Sequence, residues 1–503
     1  MIHIIDFGSQ VTHNIARRIR ELGTYTEIIP YIKADTLQDH LGEGLILSGG
    51  QYSVYDPSVP SINPDLPNIP ILGICYGQQW LAYSQGGKVN PGQTREYGKT
   101  KISISRNSPL FTGLPREFNV WMSHGDVVEQ VPPGYEVIAV SENGHIAAMQ
   151  NLEQKVFGVQ FHPEVDNTEY GREILKNFDT LTGSPHDWNP GNRIDEYSRY
   201  ILNTVGDGNL VVGVSGGVDS SALGILAHRT LGERAHLIFI NNGLLRKNEE
   251  QEVIDAFAKL SIPLQYVDAS ERFLTALRSI TNPDEKRKII GHEFIYVFQE
   301  IAQSLSNITH LGQGTLYPDV IESVPIYGSS STIKRHHNVG GLPESMHLQL
   351  VEPFSELFKD EVRVVATELG LPIEIVGRHP FPGPGLAVRC IGEVTPERLE
   401  ILRNADAIFI EELHKRNLYK EISQALAYLT DTKTVGVMGD AHTYQYLAGL
   451  RAVVTKDFMT ADAYPFPHDI INAICSRIIN EVKGINRIVY DHTQKPPGTI
   501  EPE

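Results

Sequence analysis

The chain has 503 residues, 41% of them hydrophobic and 21% charged, with a formal net charge of −18 at pH 7. That length calls for two or three domains, the composition is globular rather than disordered, and the acidic balance argues against binding long nucleic acid while leaving nucleotides open. Three scattered cysteines, Cys75, Cys390 and Cys475, make neither a disulfide framework nor a C-x-x-C metal pair and suit a reducing cytoplasm; no apolar run approaches membrane-spanning length, and residues 1–10 lack the basic start of a signal peptide.

In chain order, residues 2–5, 45–47 and 71–74 are short apolar runs of strand length, and 14–22 and 78–83 have helical spacing, so residues 1–182 read as an open α/β sheet. Gly73-Ile-Cys75-Tyr76-Gly77 sits where the third run meets a helix. This G-x-C-x-G spacing has the form of a nucleophile elbow, in which flanking glycines let a strained turn expose the sulfur and the helix N-terminus favours the thiolate. His162-Pro163-Glu164 follows later. The residue before a proline is held extended, so side chains two apart project together, and a carboxylate behind an imidazole fixes its tautomer. Residues 183–192, rich in Gly, Pro, Asn and Ser, read as a linker.

A second α/β unit spans 193–378, with strands at 210–214, 236–240 and 264–267. Its first strand runs into Ser215-Gly216-Gly217-Val218-Asp219-Ser220-Ser221 and then a helix. Strand, glycine loop and helix N-terminus make an anion cradle, but the lysine of a Walker A loop is missing. Asp219 beside a polyphosphate implies a bridging Mg²⁺, although an aspartate opening a helix is also a common N-cap. Residues 284–288 (Asp-Glu-Lys-Arg-Lys) read as a solvated helix face from which Arg287 could reach a phosphate. Residues 334–341 place basic side chains before a glycine pair and read as a mobile lid carrying Lys334. The adjacent His336 and His337 favour a metal only weakly. A proline-rich break opens the third unit, 379–503. It mixes β-rich runs (434–438, 485–490) with helical patterns (396–413, 469–482) and reads as a smaller α+β domain whose sheet edges a second copy could cover. Its end, Lys495-Pro-Pro-Gly-Thr499-Ile500-Glu501, would ordinarily be a frayed terminus.

The elbow with His162 and Glu164 resembles the Cys-His-Glu site of class I glutamine amidotransferases. By that resemblance Gly50 and Tyr76 supply the oxyanion N–H groups, and Gln79, Ser123 and His124 line the glutamine pocket. The SGGVDSS loop resembles that of N-type ATP pyrophosphatases. Taken with Asp6–Gln10, Tyr317–Ser323, the H-H-N-V-G-G and H-P-F-P-G-P-G strings and the tail, nearly the whole chain resembles the glutamine-hydrolysing GMP synthetases. The resemblance implies hydrolysis of glutamine, adenylylation of XMP at its C2 oxygen by MgATP, and displacement of AMP by ammonia in a cytoplasmic homodimer. It also implies ATP contacts from Ser215 to Ser221 and Lys334, and XMP contacts at Arg287, Gln424, Lys495, Thr499, Ile500 and Glu501. The implied architecture is two open parallel-sheet α/β domains followed by an α+β dimerisation domain. Three positions depart from the family pattern: Asn241 stands for an acid, Gln51 for a proline and Pro502 for a tryptophan. A ligase with another acceptor, or a nucleotide sensor with a vestigial glutaminase, are the competing readings; intact Cys75, His162, Glu164 and Asp219 argue against the sensor.

Overall fold

Runs such as Ile2-His-Ile-Ile-Asp6 are too short and too evenly apolar for amphipathic helices, and they form the buried centre of the first sheet. The computed structural model describes residues 1–34, 41–56, 61–63, 65–323, 348–455, 458 and 460–503. They divide into two compact units, with the break between Asn189 and Pro190.

The first unit holds strands β1 (Ile2–Asp6), β2 (Thr26–Pro30), β3 (Gly44–Leu47), β4 (Ile71–Ile74), β5 (Lys88–Ile104), β6 (Glu117–Gln130), β7 (Glu136–Ser141), β8 (Ile146–Asn151) and β9 (Val156–Val159). They form one nine-stranded sheet in the order β2-β1-β3-β4-β9-β8-β7-β5-β6. The first five in that order are parallel, and the other four join through antiparallel pairs. The sequence reading had only the parallel part. Helices Thr12–Arg20, Tyr76–Ser84 and Gly171–Thr182 belong to this unit, and Phe7, Leu47, Tyr76, Trp80 and Leu81 pack together in one of its cores.

The stretch read as a linker is not free at its start. Trp188 N donates to Gly23 O at 2.8 Å, and the indole lies 4.6 Å from the Tyr25 ring. The Arg20 guanidinium sits over both rings, 4.7 Å from Tyr25 and 5.1 Å from Trp188.

The second unit contains β10 (Asn209–Val214), β11 (Ala235–Asn241), β12 (Gln265–Asp268), β13 (Ile308–Gly312) and β14 (Gln349–Val351) in an all-parallel sheet of order β12-β11-β10-β13-β14. The order reverses at β10, the switch point where open α/β sheets bind ligands at their carboxyl ends. A second sheet pairs β15 (Gln424–Met438) and β16 (Ala441–Val454) as a long hairpin, with β17 (Asp462–Ala463) and β18 (Ile485–Tyr490) on β16. Helices Pro396–Lys415 and His468–Glu481 belong to this half. One hydrophobic core runs from Val211 and Ile238 through Leu386 and Phe409 to Ala427 and Ile474, so residues on both sides of position 379 share it.

Candidate active sites

β4 ends at Ile74 and a helix starts at Tyr76, which forces the whole change of direction onto Cys75. Its backbone adopts φ 52° and ψ −106°, a left-handed conformation that is costly for a side-chain-bearing residue and that the surroundings must impose. They do so by close packing. A Cβ on Gly77 would collide with Leu47 O, and one on Gly73 would lie 2.6 Å from the Gly77 carbonyl carbon, so glycine is required on both sides. Cys75 N is held by Val159 O at 2.8 Å.

His162 comes from the bend that follows β9. Its backbone N donates to Trp121 O at 3.1 Å, and its carbonyl accepts from Thr168 Oγ1 at 2.6 Å. His162 Nδ1 lies 2.7 Å from Glu164 Oε1, and the imidazole also hydrogen-bonds the Cys75 side chain. Burial pulls the His162 pKa down, but the Glu164 and Cys75 charges outweigh it and hold the group well above its ordinary 6.5. The three side chains expected to act together are therefore together, Glu164 being 1% exposed.

Cys75 and His162 open into a cavity of about 670 Å³. Gly50, Gln79, Ser123 and His124 line the same cavity, while the Tyr76 side chain is buried. Gln79 Nε2 donates to Asp126 O at 2.9 Å. Glu96, which carries no motif that would single it out, supports this wall. It accepts from His124 Nε2 at 3.0 Å, Ser141 Oγ at 2.7 Å and Asn143 Nδ2 at 2.8 Å. Burial would raise its pKa, but these donors bring it down to about 2.

In the second unit the SGGVDSS loop closes on itself. Ser215 N donates to Ser220 Oγ at 3.0 Å and the two hydroxyls are 2.9 Å apart. Gly216 has φ 81°, which opens the turn before the helix Val218–Leu231. Gly217 is the N-cap, so Asp219 is in the first turn and does not cap. Its Oδ1 is buried with no hydrogen-bond partner among the described residues, and its Oδ2 lies 3.3 Å from Lys359 Nζ. A hard oxygen left without a partner beside a phosphate cradle fits a divalent cation shared with phosphate. Among the described residues no group of three or more His, Cys, Asp or Glu side chains would hold a metal unaided. Ser221 is fully buried, and its Oγ has no hydrogen-bond partner among the described residues. The turn after β13 reaches the same place, since a Cβ on Gly314 would sit 3.4 Å from that of Asp219. Lys334, His336 and His337 lie outside the described residues. At Asn241, the amide donates to Glu250 Oε2 at 2.6 Å and its oxygen accepts from Gly243 N at 2.8 Å.

The tail is not frayed. Lys495 and Ala461 exchange two backbone hydrogen bonds, at 2.8 and 3.0 Å, and Ile500 packs against Leu426, Val453 and Ala461. Glu501 takes two parallel hydrogen bonds from Arg389, at 2.9 and 2.8 Å, and one from Gln424 Nε2 at 2.7 Å. Thr499 Oγ1 donates to Glu501 O at 2.6 Å, and Lys495 Nζ to Phe458 O at 2.6 Å. Arg287 is exposed and pairs with Asp284 at 3.5 Å. Its neighbour Lys286 corrects the reading of 284–288 as a solvated face, because it is completely buried.

Three family models match the chain: glutamine amidotransferase class-I over residues 3–180, NAD synthase over 192–290, and the GMP synthase C terminal domain over 411–502. Full-length relatives carry the name GMP synthase [glutamine-hydrolyzing]. That of Brachyspira hyodysenteriae is 49% identical, covering 99% of this chain and 98% of its own. Those of Phenylobacterium zucineum and Symbiobacterium thermophilum are each 51% identical, covering 99% and 100% of this chain and 98% of their own. Identity at that level over both halves, on a chain that carries a thiol elbow in one unit and a phosphate loop in the other, has one reading: the chain belongs to the glutamine-hydrolysing GMP synthase family.

Proposed function

We propose that Cys75, His162 and Glu164 release ammonia from glutamine, and that the SGGVDSS loop holds the ATP that activates XMP. The chain is an ATP-dependent ligase of the GMP synthase family, with glutamine as nitrogen donor and GMP as product. The observation that carries the division of labour is a pair of chemically different residue sets, the thiol elbow and the phosphate loop, one in each compact unit.

At the first site the Cys75 sulfur attacks the glutamine amide carbon. Backbone N–H groups at Gly50 and Tyr76 receive the oxyanion, as acyl transfer requires. The His162 imidazolium, kept charged by Glu164, passes a proton to the departing ammonia, and water then hydrolyses the thioester. Gln79, Ser123 and His124 shape the pocket for the substrate.

At the second site the loop N–H groups and the helix N-terminus take the triphosphate. Asp219 would hold the Mg²⁺ that accompanies ATP, which when bound neutralises charge on the phosphate oxygens. Lys359 adds a cation, and Lys334 is assigned to the same phosphates. The XMP C2 oxygen attacks the α-phosphate, pyrophosphate leaves, and ammonia at C2 displaces AMP. Arg287 and Lys495 are assigned to the XMP phosphate, and Gln424, Thr499, Ile500 and Glu501 to the rest of the nucleotide.

We assign a cytoplasmic home, supported by three unbridged cysteines, and a homodimeric state. Val435, Val437 and Tyr444 are 61%, 69% and 68% exposed on the β15–β16 hairpin, a patch that a second copy would cover. AMP formation with ATP, ammonium and a panel of purine nucleotides tests the acceptor; turnover with another nucleotide in preference to XMP would overturn it.

A further inference from the structure

We infer that Lys286 and Glu503 are positioning residues for the amination step, a latch that holds residues 499–503 in the form that receives XMP. The inference rests on the reading above that Glu501 touches the acceptor.

Lys286 is on the helix Pro283–Ser304, and its side chain is 0% exposed. Burying an ammonium is costly unless each of its three N–H groups finds an acceptor. All three do: Nζ donates to Ala387 O at 3.3 Å, to Cys390 O at 2.8 Å and to the Glu503 carboxylate. The Glu503 side chain is itself only 7% exposed, and its other oxygen accepts from Gly392 N at 3.1 Å.

Residues 387–392 are thus tied to Lys286 on one side and to the tail on the other. Between Ala387 and Cys390 stands Arg389, also 0% exposed, with its fork on Glu501. Two buried cations therefore fix two acids of one short segment, Glu501 and Glu503. The same helix turn that carries Lys286 presents Arg287, assigned to the XMP phosphate. A core ion pair alone would need neither the second acid nor the neighbouring exposed arginine.

A latch of this kind acts on affinity. If residues 499–503 are ordered only part of the time, the apparent affinity for XMP falls by that fraction, whereas saturating XMP restores the ordered state. Loss of the latch should raise KM for XMP and leave kcat and KM for ATP nearly unchanged. A purely structural role would lower the amount of active enzyme, hence kcat with every substrate.

The test is ammonia-dependent GMP formation by the full-length protein, with XMP and ATP varied in turn and glutamine hydrolysis as internal control. Lys286→Met strands a buried acid and risks misfolding, so Glu503→Gln is the deciding variant. It should raise KM for XMP about tenfold, with kcat within about twofold. Unchanged KM for XMP, or a fall in kcat alone, overturns the latch. Glu501→Gln, measured in parallel, separates the two ideas. If it raises KM for XMP and Glu503→Gln does not, the latch fails and the acceptor reading stands. If it has no effect, the acceptor reading of Glu501 fails, and Glu503→Gln still decides the latch.

Discussion

Lys359 Nζ lies 3.3 Å from Asp219 Oδ2, although 140 positions separate the two residues in the chain. The lysine is half-exposed and its partner mostly buried, so the cation is free to turn toward phosphate while the carboxylate stays in place. Asp219→Asn should reduce AMP formation from ATP, XMP and ammonium at least about 100-fold, because a neutral amide is a poor ligand for a hard cation. Lys359→Met should raise KM for ATP about tenfold, the scale of one charge-assisted contact. Near-normal turnover by Asp219→Asn at ordinary Mg²⁺ concentration would reduce it to a helix-end residue.

Cys75→Ala should abolish glutamine-dependent synthesis and spare the ammonium-dependent reaction, because the thiol and the phosphate loop belong to different compact units. Alanine keeps the Cβ that the elbow already tolerates, so the fold should persist. Equal loss of both activities in a well-folded variant would refute the two-site scheme.

Glu164→Gln should slow glutamine hydrolysis about 10,000-fold, the scale seen when a triad loses the acid that sets its imidazole. The His162 pKa, held well above 6.5, should drop in the variant when followed by NMR. The sign of the linked stability follows. A pKa raised by folding stabilises fully below the unfolded value near 6.5, and that contribution fades as pH rises through the folded value. A His162 titration unmoved by Glu164→Gln would remove the acid from this role.

Glu96 offers a pH test of opposite sign. Its pKa falls from 4.5 to about 2 on folding, so its contribution of ~3 kcal/mol is present above pH 4.5 and disappears as pH falls toward 2. Glu96→Gln should destabilise the first unit at pH 7, and the penalty in thermal unfolding should shrink below pH 4.5. A penalty independent of pH would mean that packing, not charge, holds the His124 wall.

Local pattern made much of this visible in the sequence. The elbow, H-P-E and SGGVDSS strings are compact because a sharp turn or an anion cradle is made by consecutive backbone groups, and these fix residue types at fixed spacing. The strands at 2–6, 71–74, 209–214 and 485–490 were legible for the same reason. What escaped was built from distant partners. Lys359 meets Asp219, Glu96 meets His124, and Lys286 meets Glu503 only after folding. Lys286 looked solvated because Lys-Arg-Lys usually is, and it is the carbonyls of Ala387 and Cys390 together with the Glu503 carboxylate that make its burial possible. The antiparallel strands β5 to β8 escaped as well. β5 and β6 are long and half-polar, without the uniform apolar runs of the parallel strands, and β7 and β8 are six residues each.

The clasp of Trp188 by Arg20 and Tyr25 decides where this chain can be divided. A fragment ending at Thr182 would strip the indole from its two partners and leave an arginine facing a bared tyrosine. One ending after Asn189 keeps the clasp and the Trp188–Gly23 hydrogen bond. Residues 183–189, the first part of the stretch read as a linker, are the closing segment of the first compact unit, and a fragment ending at Asn189 should melt at a higher temperature than one ending at Thr182.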